Sequence, residues 1–334
     1  MDQKQRSWFA RLLGRKGVSL EKTGTSAPED PRVPGKDQAI HYNEMACELY
    51  RAGRQDEALV EFDKAIKIQD RLVHKNGRWE LANDLAGFCN NKASVLHSLG
   101  RFDDTLKIID KAIELRETLV HKQGKWEFAS DLAASYNDKA EALARLGKHA
   151  EAIKIYDKAI KVWQRLVQRE SKWELVRHLA TSYNNKAVAL HHLGKRDDEL
   201  KNIDKAIELR ETLVHKQGKW EFVSDLAGSY NNKAVALNSL GMDAEALKIT
   251  SKAIEIWEGL VQKEGRWDLA NHLANSYRDM TVAHVKLGSP DRSLQTLDKE
   301  INLLEEAVKR TERRDLRDRL YELIGVREAL QKKK

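Results

Sequence analysis

The chain has 334 residues, of which 41% are apolar and 33% charged, and a formal net charge of +7 at pH 7. It contains two cysteines, Cys47 and Cys89, which excludes a disulfide framework and a cysteine-rich zinc site. No apolar run approaches the roughly 20 residues that a membrane-spanning helix needs, so the sequence predicts a cytoplasmic protein.

The positive charge is concentrated at the two ends of the sequence. Residues 1–38 carry a net +3 and residues 309–334 a net +5, which leaves −1 for everything between them. A nucleic-acid-binding array is expected to carry its basic excess along the repeats, facing phosphates. The distribution therefore argues against nucleic-acid binding by the central region.

The first 38 residues are predicted to be a disordered basic tail that contains a short amphipathic segment, residues 6–16. Trp8, Phe9, Leu12 and Leu13 would share one face of a short helix, with basic residues around it. The stretch that follows, up to Lys36, is rich in Pro, Ser, Thr and Gly, as linkers are. Three roles stay open for the amphipathic segment: weak membrane contact, docking on a partner, and folding back onto the rest of the chain.

From about residue 39 the sequence repeats with a period of 47 residues. A fixed period in this range indicates stacked supersecondary units that bury their apolar faces only against neighbours. We expect six helix pairs over residues 39–310. The period is set by five tryptophans, Trp79, Trp126, Trp173, Trp220 and Trp267, and by Gly53, Gly100, Gly147, Gly194, Gly241 and Gly288.

Each period is predicted to contain two helices. In the copy that opens at Trp126, apolar and small residues recur at intervals of three and four up to Leu146, and Gly147 ends the helix. A second helix is predicted over residues 150–168. After residue 310 the pattern weakens, and residues 311–334 are predicted to form a basic C-terminal capping helix and tail.

These repeats resemble the tetratricopeptide repeat family. In the copy around Gly194 the family's aromatic, small and large positions of the first helix hold Tyr183, Ala187 and Leu190. After the glycine, Ile203 and Ala206 match, whereas Glu199 stands where the family has alanine. The resemblance implies an all-α, right-handed α-α superhelix that binds a protein or peptide on its concave face, which the first helices line.

Two departures from the family pattern concern repeat length. The family's period is about 34 residues, and its late proline is missing here. Without the proline ring the second helix can continue for about one more turn. Long inner helices of this kind are similar to those of kinesin light chains. The places of the missing proline hold Asp70, Glu117, Gln164, Glu211 and Glu258.

The candidate peptide-binding residues lie on the predicted first helices. Asparagine costs about 0.5 kcal/mol relative to alanine within a helix, so its recurrence there calls for a reason. Two reasons stay open: contact with a peptide backbone, and hydrogen bonding between repeats. The candidates are Asn43, Asn90, Asn137, Asn184 and Asn231 at one position, Asn91, Asp138, Asn185 and Asn232 beside them, and Glu141, Arg145, His191, His192 and Arg278 on the same face.

The five repeated tryptophans are assigned a structural role: each is expected to be buried and to join consecutive repeats. The eleven histidines form no metal-binding or catalytic motif, and no phosphate-binding glycine loop is present. We therefore expect no enzyme activity, cofactor, metal or small-molecule substrate.

The sequence predicts a non-catalytic scaffold that binds a peptide or partner protein in the groove of the array. Two alternatives stay open: a structural unit that self-associates, and a membrane or nucleic-acid adaptor that uses the basic ends. The sequence does not define the oligomeric state.

Overall fold

The computed structural model describes residues 35–170 and 173–331, and the predicted amphipathic segment 6–16 lies outside them. The described residues are α-helical with short π and 3₁₀ turns and contain no strand, which confirms the all-α class. The chain divides into two compact units, Met1–Leu166 and Val167–Lys334.

The first unit contains three helix pairs, and α6 continues past its boundary. In the first two pairs the second helix packs against the first and against the first helix of the next pair. Buried aliphatic side chains from successive pairs share one core, which includes Leu72, Leu85 and Leu119. The helices are α1 (Lys36–Arg51), α2 (Gln55–Asp70), α3 (Ala82–Ser98), α4 (Phe102–Glu117), α5 (Ala129–Arg145) and α6 (His149–Glu170).

The second unit contains three more pairs and one further helix. The last helix lies against its core through Leu316 and Leu320, both buried. The long helix α12 begins at Pro290, where a missing backbone N–H costs nothing, and is followed by Glu312 in the left-handed region. The helices are α7 (Trp173–His192), α8 (Arg196–Glu211), α9 (Val223–Ser239), α10 (Asp243–Glu258), α11 (Ala270–Lys286), α12 (Pro290–Thr311) and α13 (Arg314–Gln331).

The extra length of the repeat lies between the second helix and the next first helix. At four such places the α-helix continues as one π-helical turn, then passes through a glycine and a 3₁₀ turn that begins at the repeated tryptophan. Gly124, with φ of 70°, is one of these glycines, and a side chain there would be strained. The π turns are Arg71–Lys75, Thr118–Lys122, Thr212–Lys216 and Gly259–Lys263.

The acidic residues that replace the family's proline tie one repeat to the next. Tyr136 donates its hydroxyl hydrogen bond to Glu117 at 2.5 Å, and Tyr230 donates to Glu211 at the same distance. Tyr277 donates in the same way to Glu258. The substitution that lets the helix continue thus also supplies an acceptor for the tyrosine of the following first helix.

Candidate protein-interaction surface

The repeated asparagines form hydrogen bonds between neighbouring first helices. Asn91 on α3 donates to Asn43 on α1 at 3.0 Å, and Asn232 on α9 donates to Asn184 on α7 at 2.9 Å. These residues are half-buried, so part of each amide faces solvent. An amide has two donors and two acceptor lone pairs, and one inter-repeat bond leaves capacity for a second partner.

A second set of bonds joins the same helices through serine. Asn90 donates to Ser135 at 3.1 Å, and Ser276 donates to Asn231 at 3.0 Å. Ser135 also accepts from the buried Arg116, which reaches it from the second helix α4 at 2.5 Å. These asparagines and serines form a polar row along the first helices. On its buried side the row accepts a hydrogen bond from the Arg116 guanidinium, a contact that the sequence pattern did not suggest.

The other candidates on this face differ in what they contact. Glu141 lies 3.8 Å from Arg145 and 3.9 Å from His97 of the preceding repeat. Burial lowers the pKa of His97, while the Glu141 carboxylate opposes that shift. Asn137, Asp138 and Asn185 are half-buried on the same face.

His191 is held away from the open face by the unusual Glu199. The buried Glu199 carboxylate lies 2.8 Å from Nδ1 of His191 and accepts a hydrogen bond from Arg196 at 2.9 Å. His192, the next residue, is exposed. Of the two adjacent histidines, only His192 therefore has its side chain largely in solvent.

Arg278 occupies the asparagine position on α11 and is exposed, with 58% of its side chain accessible. Nε of Arg278 lies 3.9 Å from a carboxylate oxygen of Asp279. Burial raises the pKa of Asp279, and the Arg278 and Arg319 guanidiniums oppose that shift.

Three valines on this face were not among the predicted site residues. Val188, Val235 and Val282 occupy one position of α7, α9 and α11, and they are 44%, 40% and 45% exposed. Their 47-residue spacing is visible in the sequence, but an apolar residue on a helix is normally assigned to the core. Only the structure shows that this position faces solvent.

The repeated tryptophans are less buried than expected. Trp79, Trp126, Trp173 and Trp267 are half-buried. The ring of Trp173 lies 5.2 Å from that of Phe222, in the next repeat. Trp220 differs, because 62% of it is exposed.

The exposure of Trp220 follows from residues one repeat further on. The guanidinium of Arg165 stacks over Trp126 at 4.1 Å, and that of Arg310 over Trp267 at 4.8 Å. The residue that corresponds to Arg165 in the Trp220 copy is Gly259, which has no side chain to stack. Arg165 and Arg310 lie within the uninterrupted helices α6 and α12, whereas Gly259 opens a π turn, so the Trp220 copy differs in backbone as well as in lacking the cation.

Neither a metal centre nor a membrane span is found among the described residues. No three His, Cys, Asp or Glu side chains among them are grouped so as to hold a metal ion. Within residues 35–170 and 173–331, none of the helices has the length and apolarity needed to cross a bilayer.

Comparison with known proteins gives the same picture of the fold. Tetratricopeptide repeat models match residues 86–119 and 131–214, and none of the curated proteins matches the sequence. Similar solved structures include BtubC (BKLC) from P. vanneervenii, which is 18% identical, with 75% of this chain and 90% of that chain covered and a TM-score of 0.57.

Two other solved structures are similar over most of their length. The apo form of RapI is 13% identical, with 89% of this chain and 99% of that one covered and a TM-score of 0.57. A Podosopora anserina putative kinesin light chain with nearly identical TPR-like repeats is 12% identical, with 67% and 97% covered and a TM-score of 0.52. At these identities the similarity establishes the fold alone. The chain thus resembles tetratricopeptide repeat proteins in fold and in the two stretches that the family models match, with a longer repeat of 47 residues.

Proposed function

We propose that this protein is a non-catalytic cytoplasmic scaffold that binds a peptide or protein segment along the face formed by its first helices. The observation that carries the proposal is the polar row on that face, in which half-buried asparagines retain hydrogen-bonding capacity beside their inter-repeat bonds. An extended or helical segment laid across several first helices would meet the same amide in successive repeats.

The proposal is tested by capture of partners with the full chain and with a triple variant, Asn137→Ala, Asn184→Ala and Asn231→Ala. Because Asn184 and Asn231 also bond between repeats, stability must be measured beside affinity. We expect partner affinity to fall at least tenfold at temperatures where the variant is fully folded.

The matched control is Asn302→Ala, which removes an exposed asparagine from the second helix α12. It should leave affinity unchanged and, because alanine is the better helix former, raise stability by about 0.5 kcal/mol. If the triple variant binds its partner as tightly as the parent while its stability falls, the asparagines serve the repeats alone.

The two alternative functions predict different measurements. Self-association would appear as a rise in mass with concentration in light scattering. An adaptor that uses the basic ends would bind anionic membranes or nucleic acid with strong salt dependence, and would lose that binding without residues 1–38 and 309–334.

A further inference from the structure

The exposed valines form one line across the first helices of the second unit. The hydrogen bonds Asn232–Asn184 and Ser276–Asn231 fix the register of α7, α9 and α11. Val188 and Val235 each lie one helical turn after the bonded asparagine of their own helix, and Val282 holds the same repeat position on α11. Neighbouring packed helices are about 8–10 Å apart, so the valines recur at about that interval.

The corresponding position in the first unit is not an exposed apolar one. Ser94 is buried and donates to the backbone carbonyl of Asn90, and Glu141 lies near Arg145. Cys47 is half-buried beside Asn91. The line of exposed valines is therefore found in the second unit alone among the described residues. Any preference for apolar ligands that it confers is specific to that unit.

Helix α11 extends the line of valines and places a positive charge beside it. Val285, 62% exposed, lies three residues after Val282, and the exposed Arg278 lies four residues before it. Residues at these spacings share one helix face. The surface thus has an apolar centre with a cation at one margin.

An amphipathic helix fits this arrangement. It rises 1.5 Å per residue, so apolar side chains seven residues apart are about 10.5 Å apart, close to the interval between the valines. Its intervening apolar residues would keep the contact continuous. Exposed Arg278 favours a partner that carries a carboxylate beside its apolar face.

We propose that Val188, Val235 and Val282 form the contact line for an amphipathic helical segment of a partner, with an acidic residue of that segment placed against Arg278. This inference rests on the proposed function and names the chemistry of its ligand. The chain's own segment 6–16 fits less well, because its basic residues, among them Arg6, Arg11 and Arg15, would meet the cation.

The test is selection of 16-residue peptides from a displayed random library on the full chain. We expect enriched sequences to carry aliphatic residues at intervals of three, four and seven with an acidic residue at one end. Synthetic copies should bind at least tenfold more weakly to a Val188→Asp, Val235→Asp, Val282→Asp variant. Arg278→Glu should shift the selected end residue from acidic to basic.

The matched control is Val60→Asp, which places the same charge on a comparably exposed valine of the second helix α2 and should bind as the parent does. If the triple aspartate variant folds poorly by circular dichroism, the isosteric triple threonine variant takes its place, with an expected loss of at least threefold.

Three results would overturn the inference: no enriched peptide, enriched peptides without an apolar stripe, or unchanged binding by the triple variant. Concentration-dependent dimerisation that disappears in the triple variant would also overturn it, because a second copy would then be the occupant. Capture of a partner that depends on the asparagines but not on the valines would leave the proposed function standing while this inference fails.

Discussion

Single substitutions within a repeated position change what that position does. Where the first helices α5, α9 and α11 have a tyrosine that bonds an acidic residue of the preceding repeat, α3 has Cys89. The corresponding acid is then Asp70, which lacks a phenolic donor and instead pairs with Lys111 at 2.6 Å. The repeat therefore keeps an anchored carboxylate although its partner has changed.

Burial of Cys89 predicts an unreactive thiol. Desolvation raises the pKa of Cys89 to about 12, and it also raises the pKa of the half-buried Cys47. Because the thiolate is the reactive form, we expect a maleimide at pH 8 to modify Cys47 at least about 100-fold faster than Cys89. Mass spectrometry of timed samples, with Cys47→Ser as the control, measures both rates; comparable rates in the folded protein would contradict the prediction.

The exposed Trp220 predicts that Gly259→Arg stabilises the second unit. Replacing a helical glycine raises the free energy of unfolding by about 1 kcal/mol. A guanidinium stacked on the Trp220 ring adds about 0.5–1 kcal/mol. A Cβ at residue 259 would meet no heavy atom within 4 Å. Urea unfolding measures the stability of each variant, and acrylamide quenching of tryptophan fluorescence measures the solvent exposure of Trp220.

Gly259→Ala separates the two contributions, because it removes the glycine without adding a cation. The arginine variant should be the more stable of the two and the less quenched. Equal stability and quenching of both variants would show that the stacking of Arg165 on Trp126 does not carry over to this position.

At the scale of the helix pair, the residue that replaces the family's proline has two effects. Without the ring, the second helix continues as a π-helical turn, and the acidic side chain accepts the hydroxyl of the next tyrosine. Burial, followed by the nearby carboxylate, raises the pKa of Tyr136, Tyr230 and Tyr277 above the ordinary value. The link between consecutive pairs thus depends on a protonated phenol.

This link predicts an alkaline loss of stability. Since the folded state holds the phenolic proton more tightly than the unfolded chain, the contribution is complete below about pH 10 and is lost as pH rises above it. A variant with Tyr136→Phe, Tyr230→Phe and Tyr277→Phe should lose about 1 kcal/mol per hydroxyl at pH 7. Its urea midpoint should then fall less than the parent's between pH 9 and 11; parallel pH profiles would contradict the assignment.

The sequence predicts the helix pairs well because period, apolar spacing and glycine all point to one fold. It also predicts that the second helix continues past the missing proline. It does not predict the bond from Tyr136 to Glu117, because each residue taken alone has an ordinary role and only packing brings them together. The exposure of Val235 and of Trp220 is not predicted for the same reason, because it depends on how neighbouring segments pack.

At the scale of the whole molecule, the two units share one repeat but present different surfaces. The first unit has Glu141 and the buried Ser94 at the repeat position where the second has a line of valines. Both keep the inter-repeat amide bonds, so the scaffold is common and the exposed side chains differ. A ligand that requires apolar contact is therefore expected on the second unit.

Hydrogen–deuterium exchange of the full chain, with and without a captured partner or selected peptide, tests most directly whether the first helices form the binding face. We expect slower exchange in α7, α9 and α11 on binding, and unchanged exchange in the second helices α8 and α10. Protection confined to the second helices, or to α13, would show that the ligand lies on another face and would contradict the account.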